Sequence, residues 1–416
     1  MTTRTMKLPP LFRIRQQFES DSVQDLPEAV RGQFDFLKAG EKVRAGQNVA
    51  VAVGSRGIHH LGTIVSSVIE RLKTMGLKPF IIPAMGSHGG ATAAGQANVL
   101  HDLGITESAM AAPIVSNMDV VSLGNLDSGA EVFFSRDALE ADHLVVINRV
   151  KPHTSFRGEV ESGLCKMLAI GCGRQPGASN MHTFGLSASI VPAAKRILER
   201  APILCGLAIT ESASGGIDSI KLAHPHEFVA TDSELLQRAR ALLPRIPIDD
   251  LDVLLIDEMG KDISGAGLDP NVTGFWRQDG GPRTPDYRAI VVLDLTEASH
   301  GNATGIGSVD LTTRRVIDAI DMEAMYTNCL TANVPQAARL PVALENDRVA
   351  LEAALNLCPV SKQIRMGRIV NTLDLGTFWA TKALLPELQE QTGILVDETP
   401  LSPEFDASER LHAFVS

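Results

Sequence analysis

The feature that most constrains the fold of this chain is a repeated order of apolar strand, glycine-rich loop and helix. The apolar run 47–53 is followed by the loop 54–57, and apolar residues at three- and four-residue spacing over 61–72 then predict a helix. Residues 78–83 predict the next strand, and residues 85–90 form its loop. This order predicts parallel βαβ units, so the loops should open on the same edge of one sheet.

The same alternation returns in the second half of the chain, at the predicted strands 253–256 and 289–295. A chain of 416 residues exceeds what one hydrophobic core usually holds, so two domains are expected. The segment 244–247, Pro-Arg-Ile-Pro, is the candidate linker. We predict an α/β protein with two domains, residues 1–245 and 246–416. Each should have a mainly parallel sheet flanked by helices, with the active site in the cleft between the domains.

The other elements follow from the same criteria. Apart from one helix, the first 46 residues are expected to be irregular. Apolar spacing predicts helices at 26–37, 92–103, 187–199, 234–243, 311–325, 349–357 and 379–392, and strands at 144–147, 203–210 and 368–372. Asp232 or Ser233 is placed to cap the helix predicted from residue 234.

Charge and cysteine content argue against several functional classes. A formal net charge of −11 without a basic cluster argues against a nucleic-acid or anionic-membrane surface. Five cysteines, widely spaced and without a CxxC pair, indicate neither a zinc ribbon nor a disulfide framework. Residues 1–19 lack the apolar core of a signal peptide, and no apolar run is long enough to span a bilayer. These features predict a cytoplasmic protein with no nucleic-acid or membrane partner.

Four histidines stand out because each lies in a glycine- or proline-flanked loop behind a predicted strand. They are His88, His153, His182 and His300. Imidazole titrates near neutral pH, so it can take or return a proton, and it also binds nickel, zinc, copper or iron. For each histidine alone, a hydrogen-bonded loop residue is an equally good interpretation, but four such loops together favour a site. Glu159, Glu161 and Lys151 are near enough in sequence to orient one of the histidines.

Two cationic residues accompany these histidines. Lys166 lies in a stretch rich in glycine and serine, including Ser162 and Gly163, which permits close backbone approach to a ligand. It is either a nucleophile or a surface lysine whose stem covers apolar residues. Arg56, at the start of a predicted helix, offers a bidentate partner for a carboxylate or phosphate. Neither its loop nor the loop 86–90 fits the dinucleotide fingerprint or the Walker motif.

Together these residues resemble the nickel-pincer lactate racemase family. That family has a histidine in a Gly-Thr/Ser-His loop, a Pro-His pair, a lysine shortly after it in a glycine-rich loop, and a further histidine. The matching residues here are His88 in Gly-Ser-His, His153 in Pro-His, Lys166 and His182. The resemblance extends weakly over most of the chain and is sharpest from residue 51 to 185, where the motifs occur in the family's order. The interval from the Pro-His pair to the lysine is a few residues longer than in lactate racemase.

The resemblance implies a racemase or epimerase with a covalently attached cofactor. In the family, the lysine is joined through a thioamide to a pyridinium-derived mononucleotide whose sulfur and carbon atoms hold nickel, and a histidine completes the coordination. These positions correspond to Lys166 and His182. The two catalytic histidines correspond to His88 and His153, one on each face of the substrate, and Arg56 corresponds to the arginine near the substrate carboxylate. The implied partners are a small hydroxy acid and the cell's cofactor-synthesis proteins.

Two features depart from lactate racemase and indicate a different substrate. Where lactate racemase has tyrosine, glutamine and lysine, this chain has Thr-Gly at 273–274 and then Arg277. Arg277 would replace the lysine as an anion contact, and the smaller side chains would leave room for a larger substrate. The loop 297–305 predicts pocket-lining roles for His300 and Asn302, against the alternative of a helix-capping loop. A longer 2-hydroxy acid or a sugar acid is therefore the expected substrate.

Two other functions remain open from the residues alone. A metal-dependent hydrolase would use His88, His153 and His182 to hold zinc and a water molecule. A non-catalytic carboxylate- or nucleotide-binding protein would use Arg56 and the N-terminus of the following helix. The racemase predicts an adduct on Lys166, and the hydrolase predicts metal without an adduct. The binding protein predicts ligand affinity that does not depend on the histidines.

Overall fold

The computed structural model describes residues 8–18, 22–55, 57–358 and 363–414. The chain divides into two compact units. Residues 19–243 form the first unit, and residues 1–18 together with 244–416 form the second. The division falls directly before the segment 244–247 that the sequence marks as a linker, whereas the first strand of the chain belongs to the second unit.

Strands and helices are numbered in chain order over the described residues. The strands are β1 (Leu11–Gln16), β2 (Asn48–Val53), β3 (Lys78–Pro83), β4 (Val120–Asn125), β5 (Glu131–Ser135), β6 (His143–Arg149), β7 (Ile203–Glu211), β8 (Ile217–Ala223), β9 (Asp250–Met259), β10 (Asp286–Leu295), β11 (Leu311–Thr313), β12 (Val342–Leu344), β13 (Met366–Ile369), β14 (Thr377–Thr381) and β15 (Ile394–Leu401). The α-helices are α1 (Leu26–Phe36), α2 (Leu61–Thr74), α3 (Ala93–Asp102), α4 (Glu107–Met110), α5 (Arg136–Glu140), α6 (Leu164–Lys166), α7 (Arg174–Thr183), α8 (Leu186–Leu198), α9 (Phe228–Leu242), α10 (Pro270–Thr273), α11 (Trp276–Asp279), α12 (Arg314–Asp318), α13 (Met322–Thr331), α14 (Asp347–Asn356) and α15 (Leu385–Gln389). Among the described residues, no helix combines the length and apolar character that a bilayer crossing requires.

The first unit is built on a five-stranded sheet with the order β3-β2-β6-β7-β8. The first four strands are parallel, and β8 pairs antiparallel with β7. Every residue of β2 from Val49 to Val53 is fully buried, as expected for a parallel strand covered by helices on both faces. Because β2, β3 and β6 run in one direction, the loops that follow them leave from the same edge of the sheet.

The second unit is built on an eight-stranded sheet with the order β12-β11-β10-β9-β13-β14-β1-β15. The strands from β12 to β13 are parallel, and those from β13 to β15 are antiparallel. Helix α13 contributes Met325 and Cys329 to one hydrophobic cluster, and α14 contributes Ala350 and Leu351 to another. The predicted fold class, α/β with mainly parallel sheets flanked by helices, is confirmed.

Two predicted helices of the second unit are wrong. Residues 311–325 form β11, α12 and the start of α13 instead of one helix. Trp379, predicted to begin a helix, lies in β14 and is 2% exposed. Short apolar segments fit either period, and the β-branched and aromatic residues of β14 favour a strand once neighbouring strands offer pairing. Pairing of β14 with β1 and β13 therefore decides the outcome.

The predicted cap of helix α9 is also wrong. The helix begins at Phe228 instead of residue 234, after a 3-10 turn over Pro225–Glu227. Asp232 consequently lies inside the helix and is fully buried. A short polar residue ahead of an apolar run is a good capping signal only when the helix has not already started, and tertiary packing decides where it starts.

Strand β1 lies in a segment that the sequence predicts to be irregular. It is paired on both sides, with β14 and with β15. Leu11 and Ile14 are its buried residues, and this spacing of three breaks the alternation expected of a strand. The reason is a shift of register against β15 between Phe12 and Ile14.

We expect Ile14→Ala to destabilise the second unit although Ile14 is near the chain's start. Ile14 is fully buried in one core cluster with Ile246 and Ile248, so the loss should be about 2–5 kcal/mol in the free energy of unfolding. Urea denaturation, followed by hydrogen exchange of each unit, measures it. The matched control is Leu373→Ala in the same unit, which removes a side chain that is 66% exposed and should cost less than about 0.5 kcal/mol. Destabilisation confined to residues 22–243 would contradict this placement of β1.

Candidate active site

The loops at the carboxyl edge of the five-stranded sheet are tied to one segment, residues 163–171. The Gly86 N–H, in the loop after β3, donates to the Gly171 carbonyl at 3.2 Å. Asn148, near the end of β6, donates its side-chain amide to the Gly163 carbonyl at 2.6 Å. The parallel topology therefore brings the loop after β3 and the end of β6 to the segment that contains Lys166.

His88 follows β3, is exposed, and meets the loop after β2. The Oγ of Ser55, directly behind β2, lies 2.5 Å from Nδ1 of His88. A hydroxyl that donates to Nδ1 selects the tautomer with its proton on Nε2, and a hydroxyl that accepts selects the other tautomer. The hydrogen bond with Ser55 thus influences which ring nitrogen of His88 has the proton.

A buried polar network supports the backbone of the His88 loop. Gln96 of α3 is fully buried and donates to the carbonyls of Gly86 at 2.8 Å and His88 at 3.2 Å. Arg174, fully buried at the start of α7, donates to the side-chain oxygen of Gln96 at 3.1 Å and to the Pro83 carbonyl. Burial lowers the pKa of the Arg174 guanidinium. Because each of these groups would be costly to leave unpaired, the network holds the loop in one conformation.

His153, in the loop after β6, is held through both its backbone and its ring. Its N–H donates to Oε2 of Glu161 at 2.8 Å, and the Ser155 N–H donates to its Nδ1 at 3.1 Å. An Nδ1 that accepts a hydrogen bond is unprotonated, so the neutral ring has its proton on Nε2 while this contact holds. The Phe156 ring packs beside the imidazole, with ring centres 4.5 Å apart.

Glu161 is the acidic residue that positions His153. Its carboxylate is fully buried and accepts from the N–H groups of His153 and Gly158, at 2.8 and 3.1 Å. It also pairs with Arg240 of α9 at 2.6 Å. Glu159, the other acidic candidate from the sequence, is exposed. Glu161 acts on the backbone of His153, so it fixes the position of the residue and leaves the ring nitrogens to other partners.

Ser162 closes the turn between β6 and His153. Its hydroxyl accepts from the Lys151 N–H and donates to the Lys151 carbonyl, both at 2.6 Å. The hydroxyl proton is therefore used within the protein. The predicted contact of Ser162 with a cofactor would rely on the second lone pair of the oxygen, and it stays a prediction.

Lys166 ends α6, and a π-helical turn over Met167–Gly171 follows directly. Such single π turns are frequent at functional sites. His182, predicted to lie in a loop, is in the last turn of α7, whose buried face includes Gly177, Ala178 and Met181. Although His182 keeps an exposed surface, its pKa is lowered, chiefly by loss of hydration and further by the positive charge of Lys166. The Lys166 amine and the His182 imidazole therefore lie within electrostatic range of each other.

Arg277, a predicted substrate contact, belongs to the second unit, and its hydrogen bonds are to residues of the same unit. Its guanidinium donates to the Ser308 carbonyl at 3.0 Å, to Oδ2 of Asp310 at 2.8 Å and to the Tyr287 carbonyl. The side chain is 6% exposed. To bind an anionic substrate, Arg277 would have to exchange these bonds for new ones, at the cost of leaving buried acceptors unpaired. Its contacts in this structure are those of a structural residue.

His300 and Asn302 lie in the loop after β10. His300 is exposed and has a left-handed backbone, with φ of 47°. The side-chain oxygen of Asn302 accepts from the Thr304 N–H at 3.2 Å and from its hydroxyl at 2.7 Å, and its amide donates to Asn328 at 3.2 Å. Asn302 thus stabilises its own loop. The pocket-lining role of both residues stays a prediction.

Protein side chains alone do not build a metal centre in the described part of the chain. There, no group of three or more His, Cys, Asp or Glu residues is placed to hold a metal ion. His88, His153 and His182 therefore do not form the three-histidine zinc site that the hydrolase alternative requires. The predicted carboxylate contact, Arg56, lies outside the described residues.

Three supporting residues were not identified from the sequence, namely Ser55, Gln96 and Arg174. Gln96 does have a signal, since it shares the buried face of α3 with Leu100, four residues later. A polar residue at such a core position usually has specific partners. Ser55 and Arg174 have no local signal, because their partners lie 33 and 78 residues away in sequence.

We expect Glu161→Gln to destabilise the first unit and loosen the His153 loop. The exchange removes the charge from a pair with Arg240 in which only Arg240 reaches solvent, so the free energy of unfolding should fall by about 3 kcal/mol. Urea denaturation measures this loss, and hydrogen exchange at the His153 amide reports the loop. Glu159→Gln, two residues away and exposed, is the matched control and should change stability by less than about 0.5 kcal/mol. Similar losses in both variants would contradict the assignment.

The N-terminal part of the chain matches a known family. The model of the lactate racemase N-terminal domain matches residues 14–182, a span that includes His88, His153, Lys166 and His182. The sequence comparison with curated proteins finds no match.

The fold of the chain is similar to that of a solved protein, the lactate racemase apoprotein from Thermoanaerobacterium thermosaccharolyticum. The TM-score is 0.54 at 12% sequence identity, and the alignment covers 87% of this chain and 98% of that chain. At this identity the likeness establishes the fold, and the family match rests on the N-terminal sequence. The chain thus has the fold of lactate racemase, and its residues 14–182 match the model of the lactate racemase N-terminal domain.

Proposed function

We propose that this protein is a racemase or epimerase that inverts a 2-hydroxy acid or sugar acid with a lysine-tethered nickel-pincer nucleotide. The structural observation that supports this most directly is the segment 163–171, which contains Lys166 and accepts hydrogen bonds from the Gly86 N–H of the His88 loop and from the Asn148 side chain of β6. The positive charge of Lys166 also lowers the pKa of His182. The family match over residues 14–182 includes all four residues and points to the same activity.

The residues present fit this cofactor. Lys166 offers a half-buried amine for covalent attachment, next to the π turn. The lowered pKa of His182, caused first by desolvation and then by Lys166, favours the neutral imidazole, which is the form that binds a metal. A pincer nucleotide brings its own sulfur and carbon donors, so one protein imidazole completes the coordination. We assign Lys166 to attachment and His182 to nickel.

When bound, the nickel-pincer nucleotide would supply a reversible acceptor for the hydride on C2 of the substrate. The side chains of the protein would move the hydroxyl proton of the substrate while the C2 hydride is transferred. His88 and His153 come from different loops, so they can serve the two faces of the substrate. Inversion requires two such groups, because the proton leaves from one side and returns from the other.

The hydrogen bonds at Nδ1 allow His88 and His153 to have their proton on different ring nitrogens. The Ser155 N–H keeps Nδ1 of His153 unprotonated, so neutral His153 offers an N–H at Nε2 to a substrate oxygen. His88 meets the Ser55 hydroxyl, which can accept as well as donate, so it can present a lone pair at Nε2. We assign the first proton abstraction to His88. His153 returns a proton to the opposite face from its doubly protonated form, which requires its bond from the Ser155 N–H to open, and it is left neutral.

The substrate is anionic in this proposal. Arg56, next in sequence to Ser55, is the proposed partner of its carboxylate, with bidentate geometry. We keep the longer 2-hydroxy acids and sugar acids as the substrate class, with His300 and Asn302 as proposed pocket residues. The proteins that synthesise the cofactor are the proposed cellular partners, and the cytoplasm is the proposed location.

Attachment of the cofactor is tested by the mass of the intact protein. Chains expressed in cells that make the nucleotide should have additional mass, and Lys166→Ala should remove it. The matched control is Lys195→Ala, which removes an exposed lysine on α8 and should leave the additional mass in place. An unmodified wild-type chain from such cells would refute the proposal.

The histidine roles are tested by comparing nickel content with turnover. His88→Ala and His153→Ala should keep nickel and lower inversion by roughly 10²–10⁴-fold, the usual effect of removing a general base. His182→Ala should lose nickel first. Chiral chromatography of 2-hydroxy and aldonic acids measures inversion, and elemental analysis measures nickel. His101→Ala, which removes an imidazole that is 75% exposed, is the control and should change neither. Equal nickel loss in the three site variants would show that the roles are wrong.

A further inference from the structure

Asp232 connects helix α9 to the segment that ends in Lys166. Its carboxylate is fully buried, and Oδ1 accepts from the Leu164 N–H while Oδ2 accepts from the Cys165 N–H, both at 2.8 Å. Leu164 and Cys165 are the first two residues of α6, and Lys166 is its third and last residue. Both carboxylate oxygens are therefore used to hold the helix from which the Lys166 side chain leaves.

Gly163 is matched to this carboxylate. It has a left-handed φ of 90°, and a β-carbon at this position would lie 2.1 Å from Oδ1 of Asp232. A side chain at position 163 would thus occupy the space that the carboxylate needs. Position 163 must be glycine for Asp232 to reach both N–H groups, so the two residues together define where α6 starts and how it is oriented.

The placement of a carboxylate here is costly. Burial raises the pKa of Asp232 to about 7, and the two backbone N–H donors oppose that rise. An uncharged side chain of similar size would fill the same space without the desolvation cost. Unlike such a side chain, the carboxylate accepts two hydrogen bonds at once. These bonds fix both the position and the rotation of the Leu164 and Cys165 peptide groups. It contacts the segment of Lys166 from beyond the span 14–182 that the family model matches.

We infer that Asp232 is a positioning residue of the cofactor site: it holds the start of α6 and thereby fixes the direction in which the Lys166 side chain leaves this helix. The inference rests on the proposed role of Lys166 as the attachment point. Asp232 touches neither cofactor nor substrate in this scheme. It acts through the backbone of Leu164 and Cys165, as supporting residues of a precise site do.

The test in the cofactor-free protein is Asp232→Asn. Asparagine keeps the size of the side chain, but its oxygen can accept only one of the two hydrogen bonds and its NH₂ group faces the other donor. Acetylation of Lys166 by an amine-reactive ester, followed by peptide mass mapping, reports the exposure of the amine. Its rate should rise roughly tenfold, as expected when a segment loses a buried hydrogen bond and opens more often. Hydrogen exchange at the Leu164 and Cys165 amides should rise by a similar factor.

Asp218→Asn is the matched control. Asp218 is a buried carboxylate of the same unit that accepts from the Thr210 hydroxyl at 2.7 Å and pairs with Arg238, also on α9. Its exchange should lower the unfolding temperature and leave the acetylation of Lys166 unchanged. In cells that make the cofactor, the fraction of chains with the Lys166 adduct should fall several-fold in Asp232→Asn and stay at the wild-type level in Asp218→Asn.

Two results would overturn the inference. One is a folded Asp232→Asn protein with wild-type acetylation and adduct fraction. The other is an equal rise of Lys166 acetylation in both carboxylate variants, which would mean general loosening of the unit. A wild-type chain without adduct would instead refute the proposed function, while the acetylation of the cofactor-free variants would still decide whether Asp232 positions Lys166.

Discussion

The parallel pairing of β2 with β3 and β6 is the physical constraint on which the candidate site depends. Strands that run in one direction place the loops that follow them at one edge, whereas antiparallel strands would send alternate loops to opposite edges. Ser55, His88 and His153 follow three different strands, and this pairing places all three at one edge of the sheet. The position of the candidate active site therefore depends first on the direction of these strands.

Buried polar groups then convert this approximate convergence into a defined geometry. Gln96 and Arg174 hold the His88 loop, and Glu161 holds the His153 loop, all from positions with no exposed surface. Each of these groups loses its hydration when it is buried. Removing its hydrogen-bond partner would therefore lower the free energy of unfolding. In a purely apolar interior these loops would have several conformations of similar energy. Specific hydrogen bonds select one of them.

Much of the fold could be predicted because its signals are local. The apolar runs that form β2 and β3, and the three- and four-residue spacing in α2, define their elements without reference to the rest of the chain. The errors lie where local patterns are ambiguous and tertiary pairing decides. Strand β1 has a register shift that hides its alternation, and Trp379 belongs to a strand because β1 and β13 pair with β14. Asp232 is the clearest case, since a capping residue was expected where a buried link between segments lies.

The sequence by itself determined the α/β class, the loops that have the reactive residue types, and the resemblance of residues 14–182 to the lactate racemase N-terminal domain. These depend on residues close together along the chain, whose spacing reflects helix and strand periods. The tertiary structure alone decided that Ser55 meets the His88 ring, that Glu161 holds His153 by its backbone, and that Gln96 supports the His88 loop. Such contacts join residues far apart in sequence. Their distances depend on how strands and helices pack, and no local pattern of residues contains that information.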